Sequence, residues 1–213
     1  MALIENESFF FYYRIKDMNV PIDISNVTLH TQRLTLRSWK ESDVHDLYEY
    51  ARVDGVGQMA GWKPHENIEE SRMILKMFID EKKTFALEYE GKVIGSLGIE
   101  EYNEEHFPEF KEQKAREIGY VLSKNYWGQG LMPEAVREAI RYLFEDVGLD
   151  VIFCGHFLWN RQSQRAQKKC GFHHYAYDTF ETRLGTIEDN EVNILTKEEY
   201  YAKERNSAEI VAS

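Results

Sequence analysis

The sequence predicts an α/β fold in which helices flank a single mixed β-sheet. Apolar residues alternate with a period of two in some segments and follow helical spacing in others, which gives the order β-α-α-β-β-β-α-β-α-β-β-α. The 213 residues, of which 43% are hydrophobic, suffice for one substantial core and are too few for two full domains. We therefore predict an N-terminal extension over residues 1–26 and one domain over residues 27–213.

The first half of the domain is predicted to contain a kinked strand, two helices and a β-hairpin. The strand covers residues 27–37, and a polar pair interrupts its apolar alternation. Ser42 and Asp43 precede one stretch of helical periodicity, and Asn67 precedes another. These residues can cap a helix, because their side chains accept hydrogen bonds from the first backbone amides. Two alternating runs joined by a short turn form the hairpin over residues 84–99.

The second half is predicted to alternate strands and helices. The clearest helix covers residues 133–147, where apolar residues form one stripe, Pro133 suits the first turn and Gly148 suits the end. A strand at 116–122 precedes this helix. The remaining predicted elements are a strand at 150–157, a helix at 161–170, strands at 172–183 and 191–195, and a terminal helix capped by Thr196.

The composition argues against several classes of protein. The 37 acidic and 26 basic residues give a formal net charge of −11, whereas nucleic-acid binding needs a basic face. No apolar run reaches the length of a membrane span, and no basic start precedes a long apolar stretch as in a secretory signal. Cys154 and Cys170 form no metal-binding motif. We therefore expect reduced thiols, no metal, no membrane and a cytoplasmic location.

An aromatic cluster at residues 9–13 distinguishes the extension from the domain. Exposed aromatic clusters are costly in a monomer. This segment is therefore expected either to pack on the domain or to form the contact of a homodimer, and the sequence leaves both interpretations open.

A glycine-containing loop between the strand at 116–122 and the helix at 133–147 carries the clearest functional signal. Its residues are Trp127-Gly128-Gln129-Gly130-Leu131-Met132. The two glycines let the backbone turn sharply and present successive N–H groups outward. The first amides of the helix lack intrahelical partners and carry the positive end of the helix dipole, so the segment can bind a phosphate group. It lacks the Lys-Ser/Thr of a P-loop and the third glycine of a dinucleotide-binding motif. Alone, it is equally consistent with an ordinary strand-to-helix connection.

A second segment, from Asn160 to Phe172, gives the loop a more specific meaning. Its Asn-x-x-Ser…Gly-Phe pattern, together with the loop, resembles the GNAT acyltransferase family, specifically its branch of ribosomal-protein N-terminal acetyltransferases. The segment from Leu29 to Arg37 is similar to the first strand of that branch, and the segment from Arg116 to Tyr120 is similar to the strand before its loop. The resemblance covers residues 27–200, and four ordered segments are more specific than either motif alone.

The resemblance implies the fold, the cosubstrate and the residues that bind it. The fold would be a single mixed, mostly antiparallel central sheet flanked by helices. The cosubstrate would be acetyl-CoA, with its pyrophosphate on the loop and its pantetheine arm beside the helix at 161–170. The implied cofactor-binding residues are Val121, Leu122, Trp127, Gly128, Gln129, Gly130, Leu131, Met132 and Asn160. Trp127 and Met132 depart from the residues that many members carry, which main-chain phosphate contacts tolerate.

Acetyl transfer to an amine needs a base, a donor to the thioester carbonyl oxygen and a proton for the leaving thiolate. Glu117 stands where some members place a catalytic glutamate, and His156 is the rival base. The resemblance implies that the backbone N–H of Leu122 faces the thioester oxygen. Many members place a tyrosine acid where this chain has Gln167, so Ser163 is the predicted hydroxyl at the thiolate.

We therefore predict an acetyl-CoA-dependent N-acetyltransferase. Its acceptor would be a primary amine, either a protein N-terminus or a small molecule, which attacks directly within a ternary complex. Two alternatives stay open. One is the acetylation of a polyamine or an antibiotic, and the other is an acyl-CoA-binding sensor without transferase activity, with which the glutamine at 167 is compatible.

Overall fold

The centre of the protein is an eight-stranded β-sheet. The computed structural model describes residues 18–212, apart from the side chains of 204 and 206–212. The strands are β1 (Leu29–His30), β2 (Leu34–Arg37), β3 (Thr84–Tyr89), β4 (Lys92–Glu100), β5 (Ala115–Leu122), β6 (Val151–Phe157), β7 (His173–Glu181) and β8 (Ile187–Thr196). Their order in the sheet is β1-β2-β3-β4-β5-β6-β8-β7. The neighbours β5 and β6 run parallel, and the other neighbouring pairs are antiparallel.

Five α-helices connect and cover the strands within the described residues. They are α1 (Val44–Ala51), α2 (Ile68–Glu81), α3 (Leu131–Arg141), α4 (Arg161–Cys170) and α5 (Lys197–Ala212). Asn67 caps α2 as predicted, because its side chain accepts a hydrogen bond from the Glu70 amide at 3.0 Å. The helix α3 begins two residues before the predicted start, and the predicted end of that helix is a π-helical turn, Tyr142–Asp146.

The two faces of the sheet are covered by different helices. On one face, Leu36, Ile118 and Leu122 belong to the same buried cluster as the apolar stripe of α3. On the other face, the cluster is built from α1, α2 and the buried side of β3. Side chains alternate along a strand, so Tyr120 packs on the α3 face of β5, whereas Glu117 and Val121 belong to the opposite face. This alternation decides which groups meet at the site.

The predicted fold class, a mixed and mostly antiparallel sheet flanked by helices, is confirmed. The kink predicted in the first strand separates β1 from β2. Residues 18–26 pack on the domain, because Ile24 is buried in the core and Arg116 donates hydrogen bonds to the carbonyl oxygens of Met18 and Val20. The domain boundary at residue 27 stays a prediction. The aromatic cluster at 9–13 lies outside the described residues, and the homodimer stays a prediction.

Candidate active site

The two parallel strands of the sheet separate near their middle and leave a cleft. Pairing between β5 and β6 runs from Ala115 opposite Val151 to Glu117 opposite Phe153. Beyond that point β5 continues beside β4, and β6 continues beside β8. A cavity of about 570 Å³ lies where they diverge. All the predicted site residues line it except Gln129, which is exposed.

The predicted loop borders this cleft, and its backbone is shaped by two glycines. Gly128 has a φ of 76° and Gly130 a φ of 77°, in the left-handed region that glycine adopts readily. A Cβ at Gly128 would meet nothing within 4 Å, so this position needs glycine for its conformation rather than for space. Within residues 18–212, the N–H groups of Gly128, Gln129 and Gly130 donate no hydrogen bond to the protein. With the start of α3, they can bind an anion.

Side chains from the turn between β1 and β2 hold the loop against α3. The Nε of Arg33 donates to Glu134 Oε2 at 2.8 Å, and its Nη1 donates to the carbonyl oxygen of Gln129 at 3.1 Å. The hydroxyl of Thr31 donates to Glu134 Oε1 at 2.6 Å. Glu134 lies in the first turn of α3, where a negative charge is also favoured by the helix dipole. Side chains of the protein itself therefore brace the loop.

The end of β5 presents backbone groups to the cleft. The N–H of Ser123 donates to the carbonyl oxygen of Ile94 in β4 at 2.7 Å. Peptide direction alternates along an antiparallel strand, so the peptide groups of Tyr120 and Leu122 point away from β4, toward the cleft. The indole Nε1 of Trp127 donates to the Leu122 carbonyl oxygen at 2.7 Å. The Leu122 N–H is thus left to face a ligand.

Two of the predicted cofactor-binding residues have partners within the protein. Val121 pairs with Ser96 of β4, so its peptide is directed into the sheet while the residue borders the cleft. Asn160 caps α4, because its Oδ1 accepts from the N–H of Ser163 at 3.1 Å and its Nδ2 donates to the Met59 carbonyl oxygen at 3.2 Å. A direct contact of either residue with a cofactor stays a prediction.

Glu117 is the last residue of β5 to pair with β6. Burial raises the pKa of its carboxyl group to about 7, the carboxylates of Glu100 and Asp178 add to the increase, and a hydrogen bond from the Gly155 N–H opposes it. Gly155 lies directly across the opening: a Cβ there would be 3.3 Å from Glu117 Oε1 and 2.9 Å from Asn190 Nδ2. A carboxyl group with this pKa exchanges its proton near neutral pH, as a general base requires.

Ser163 lies in the first turn of α4, within a buried group of polar side chains. Its Oγ is 2.9 Å from the hydroxyl of Tyr120 and accepts a hydrogen bond from Gln167 Nε2 at 3.1 Å. Gln167 also donates to the carbonyl oxygen of Gly155 at 2.9 Å and accepts from Asn193 Nδ2 at 2.7 Å. Gln167 therefore holds Ser163 in place instead of supplying an acid.

His156, the rival base, is buried beside this group. Its Nδ1 lies 3.1 Å from Asn193 Nδ2, and its Nε2 lies 3.5 Å from Glu191 Oε2. Burial lowers the pKa of the imidazole, which favours the neutral ring. The amide nitrogen of Asn193 donates to Nδ1, so the lone pair of the neutral ring is already engaged. His156 offers no free base to a substrate in this arrangement.

Comparison with known proteins agrees with this geometry. A family model described as the acetyltransferase (GNAT) domain matches residues 33–173. The chain belongs to the GNAT acetyltransferase family. The uncharacterized N-acetyltransferase p20 of Bacillus licheniformis is 29% identical over 132 residues, which cover 59% of this chain and 70% of that protein. Membership in this family identifies the protein as an acyltransferase enzyme.

Solved structures of GNAT proteins share the fold. The ribosomal-protein-S5-alanine acetyltransferase from Vibrio fischeri superposes with a TM-score of 0.63 at 22% identity, covering 80% of this chain and 97% of that one. A microcin C7 self-immunity acetyltransferase in complex with acetyl-CoA and AMP superposes with a TM-score of 0.65 at 17% identity, covering 78% of this chain and 93% of that one. GNAT acetyltransferases use acetyl-CoA, and the described part of this chain contains no group of three or more His, Cys, Asp or Glu side chains placed to hold a metal.

The GNAT cleft differs in charge between its two ends. Arg165 and Lys169 line it one helical turn apart on α4. The sulfur of Cys170 lies 3.5 Å from the carbonyl oxygen of Pro133, which places this part of α4 beside the start of α3 and its loop. Glu117 and the carboxylates near it make the other end acidic. A phosphate-bearing ligand is therefore favoured at the loop, and a cationic group is favoured near Glu117.

Sequence reasoning missed two members of the GNAT site, Tyr120 and Asn193. Tyr120 belongs to the segment that carried the family resemblance, yet no feature of the sequence indicates that its hydroxyl reaches α4. Asn193 is a polar residue in the apolar run of β8 and is buried. A buried polar side chain requires a hydrogen-bond partner, and that requirement was the available signal.

Two further features bear on the environment of this GNAT protein. Cys154 and Cys170 are both free, and both are buried. Across residues 18–212, none of the helices has the length and apolar character needed to cross a membrane.

Proposed function

We propose that this protein transfers an acetyl group from acetyl-CoA to a primary amine within a ternary complex. The observation that carries the proposal is the opening between β5 and β6. It joins a loop of free backbone amides to Glu117, whose carboxyl group has a pKa of about 7. The acceptor is a protein N-terminal amine or a small amine.

The residues at the loop end fit the donor. Coenzyme A carries a pyrophosphate, and the amides from Gly128 to Gly130 would hold it together with the start of α3. Arg165 and Lys169 add positive charge on the same side. The free N–H of Leu122 would donate to the acyl carbonyl oxygen and stabilise the negative charge that develops there. When bound, acetyl-CoA supplies an acetyl group activated as a thioester.

Glu117 is the proposed base. An amine must be unprotonated to attack, and a carboxylate that gains its proton near pH 7 can remove that proton at neutral pH. His156 is the weaker candidate, because its lone pair already accepts a hydrogen bond from Asn193. Ser163 lies on the α3 side of the opening, bonded to Tyr120. The base and the hydroxyl pair therefore face a bound thioester from opposite sides of the sheet.

The acceptor end is bordered by apolar side chains and one buried amide, those of Met59, Phe157, Phe180 and Asn190. The N–H of Arg183, in the turn between β7 and β8, donates to the Gly61 carbonyl oxygen at 2.8 Å. This bridge joins the two loops that border the acceptor end. The acidic charge near Glu117 favours an amine that arrives as a cation, which includes both a peptide N-terminus and a polyamine.

Two measurements test the proposal on the whole chain. Calorimetry should detect binding of acetyl-CoA, and thiol release should require one member of a panel of peptides, polyamines and aminoglycosides. The product should carry one acetyl group by mass spectrometry. Tight binding without thiol release for any acceptor would support the sensor alternative instead. Absence of binding would contradict the assignment of the loop.

A further inference from the structure

The hydrogen bonds that lead from Asn193 through Gln167 to Ser163 have one direction, and they point to a second hydroxyl group for the reaction. Gln167 is 1% exposed, and its Nε2 lies 2.9 Å from the carbonyl oxygen of Gly155. A carbonyl oxygen can only accept, so the amide nitrogen of Gln167 must face Gly155 and Ser163, and its oxygen must face Asn193. The Oγ of Ser163 is therefore an acceptor for Gln167.

The same direction holds on the other side of Gln167. Asn193 Nδ2 donates to Gln167 Oε1 at 2.7 Å and lies 3.1 Å from Nδ1 of His156. Because an amide nitrogen donates, Nδ1 must accept, and the neutral imidazole carries its hydrogen on Nε2, toward Glu191. This series of hydrogen bonds cannot reverse its direction, because the bond from Gln167 to the Gly155 carbonyl oxygen would then be lost.

Ser163 has one hydrogen to donate, and the Tyr120 hydroxyl oxygen at 2.9 Å is a near acceptor. When Ser163 donates to it, the hydrogen of Tyr120 is free to point into the cleft that both side chains line. The other acceptor near this hydroxyl, as far as the described residues show, is the Ser163 carbonyl oxygen at 3.4 Å. That distance is long for an O–H···O hydrogen bond. In that arrangement the phenol keeps a proton for a group in the cleft.

We propose that Tyr120 is the acid that protonates the leaving sulfur and that Ser163 is a positioning residue that donates to the Tyr120 oxygen. This inference rests on the proposed function and assigns the proton donor of the same reaction. A phenol is a much stronger acid than an alkyl hydroxyl, so Tyr120 gives up its proton more readily than Ser163. Burial raises the pKa of Tyr120 well above its ordinary value, which keeps the phenol protonated until a thiolate forms.

The proton balance closes with these residues and water. Glu117 takes a proton from the amine as the nitrogen–carbon bond forms. As the carbon–sulfur bond breaks, Tyr120 gives its proton to the sulfur, and Ser163 stabilises the phenolate through its hydrogen bond. After the products leave, Glu117 releases its proton to water and Tyr120 regains one from water. Glu117 and Tyr120 lie on opposite faces of β5 and both line the cleft. A thioester held in the cleft would therefore have the base on one side and the acid on the other.

Removal of the phenolic oxygen tests this assignment. The Tyr120→Phe variant should lose about 100-fold in kcat, with an unchanged KM for acetyl-CoA, because general acid catalysis contributes on that order. Tyr142→Phe is the matched control: its ring is also buried on the α3 side of the sheet, outside the cleft, and its kcat should be unchanged. Ser163→Ala should lose about 10-fold. The double variant should match Tyr120→Phe, because both hydroxyls act on one proton.

A second readout does not depend on turnover. The thiol of bound coenzyme A can be titrated by its ultraviolet thiolate absorbance. A hydrogen bond from Tyr120 stabilises the thiolate, so Tyr120→Phe should raise the pKa of the bound thiol by about one pH unit. Tyr142→Phe should leave it unchanged. A role for Tyr120 in packing alone would not move this value.

Three results would overturn the assignment. The first is a Tyr120→Phe variant with kcat within about twofold of wild type, and the second is an unchanged pKa of the bound thiol in that variant. The third is a loss of kcat that is larger in Ser163→Ala than in Tyr120→Phe and no larger in the double variant than in Ser163→Ala. The third result would identify Ser163 as the acid that protonates the leaving sulfur. Failure of the proposed function is a different result, because the wild-type protein would then release no thiol with any acceptor.

Discussion

The two ends of the cleft are built from different parts of the polypeptide. At the loop end, the proposed binding groups are backbone amides, placed by the left-handed conformations of Gly128 and Gly130 and braced by Arg33 and Glu134. At the acceptor end, the chemistry depends on the Glu117 side chain and the charges around it. The first end should tolerate changes of side chain and fail when its backbone changes. The acceptor end should tolerate small changes of its backbone and fail when the Glu117 side chain is changed.

Because of this difference, the departures from the family pattern at Trp127 and Met132 are expected to do little harm to the loop. Trp127 donates to the Leu122 carbonyl oxygen and packs between the two core clusters, and Met132 is buried. The proposed phosphate contacts need neither side chain, because backbone amides would make them. The unusual residues serve packing, and the backbone keeps the conformation that binding requires.

The largest effect is expected from Gly130→Val. A β-branched residue is strained at a φ of 77°, so the loop should rearrange and its amides should no longer converge. Loss of several hydrogen bonds to a charged group predicts that the Kd for acetyl-CoA rises at least about 100-fold by calorimetry. The matched control is Gln129→Ala, whose side chain is exposed and lies outside the cleft lining, and it should bind normally. Normal binding by Gly130→Val would remove the loop from the site.

The next effect is expected from Glu117→Gln, which keeps the shape of the side chain and removes the proposed base. At pH 7.5 kcat should fall about 100-fold, while the Kd for acetyl-CoA should stay within about twofold of wild type. In the wild-type enzyme, kcat/KM should rise with pH through an acidic limb near the Glu117 pKa of about 7. That limb should be absent from the variant. A variant that keeps the same limb would show that another group is the base.

Most of the fold could be predicted because its signals are local. The bounds of α4 were predicted in full, since Asn160 caps it and Gly171 ends it in the left-handed region. The helix α3 starts two residues before its predicted start, because Pro133 suits the first helical position in the sequence, whereas Gly130 is the cap. The correct bounds of α4 and the incorrect start of α3 have the same reason: a few neighbouring residues specify where a helix begins and ends.

The site could be predicted only where a backbone requirement is visible in the sequence. Gly128 and Gly130 stand in the chain as glycines because their conformations demand it. The contact between Tyr120 and Ser163 depends instead on the alternation of β5 and on the position of α4, which are properties of the assembled sheet. The pKa of Glu117 likewise depends on burial in the tertiary structure. Neither this contact nor this pKa could be derived from the spacing of residues in the sequence.

A further effect should appear in stability. The pKa of Glu117 is about 7 in the folded protein and 4.5 in the ordinary state, so between these values the unfolded chain has lost the proton that the folded chain retains. The free energy of unfolding therefore decreases as pH rises from 4.5 to 7, and stays at the lower level above 7. Glu117→Gln lacks this decrease and should be more stable than wild type at pH 8 by about 1 to 3 kcal/mol. Urea denaturation at pH 4 and pH 8 measures the difference, which should nearly vanish at pH 4, below both pKa values. A difference that does not vary with pH would contradict the elevated pKa.

The smallest effect should come from a neighbour of the base. Glu100 is the charged group with the largest contribution to the raised pKa of Glu117, after burial, and it forms an ion pair with Lys83 at 2.5 Å. Glu100→Gln removes the repulsion, which favours ionised Glu117, while Lys83 keeps its ion pair with Glu101 at 3.3 Å. The acidic limb of kcat/KM should shift to lower pH by about 0.5 pH unit and still lie above 4.5, because burial persists. Glu105→Gln, an exposed change in the same acidic segment, should leave the limb in place. If Glu100→Gln also leaves it in place, burial alone sets the pKa, and the acidity of this end serves the acceptor rather than the base.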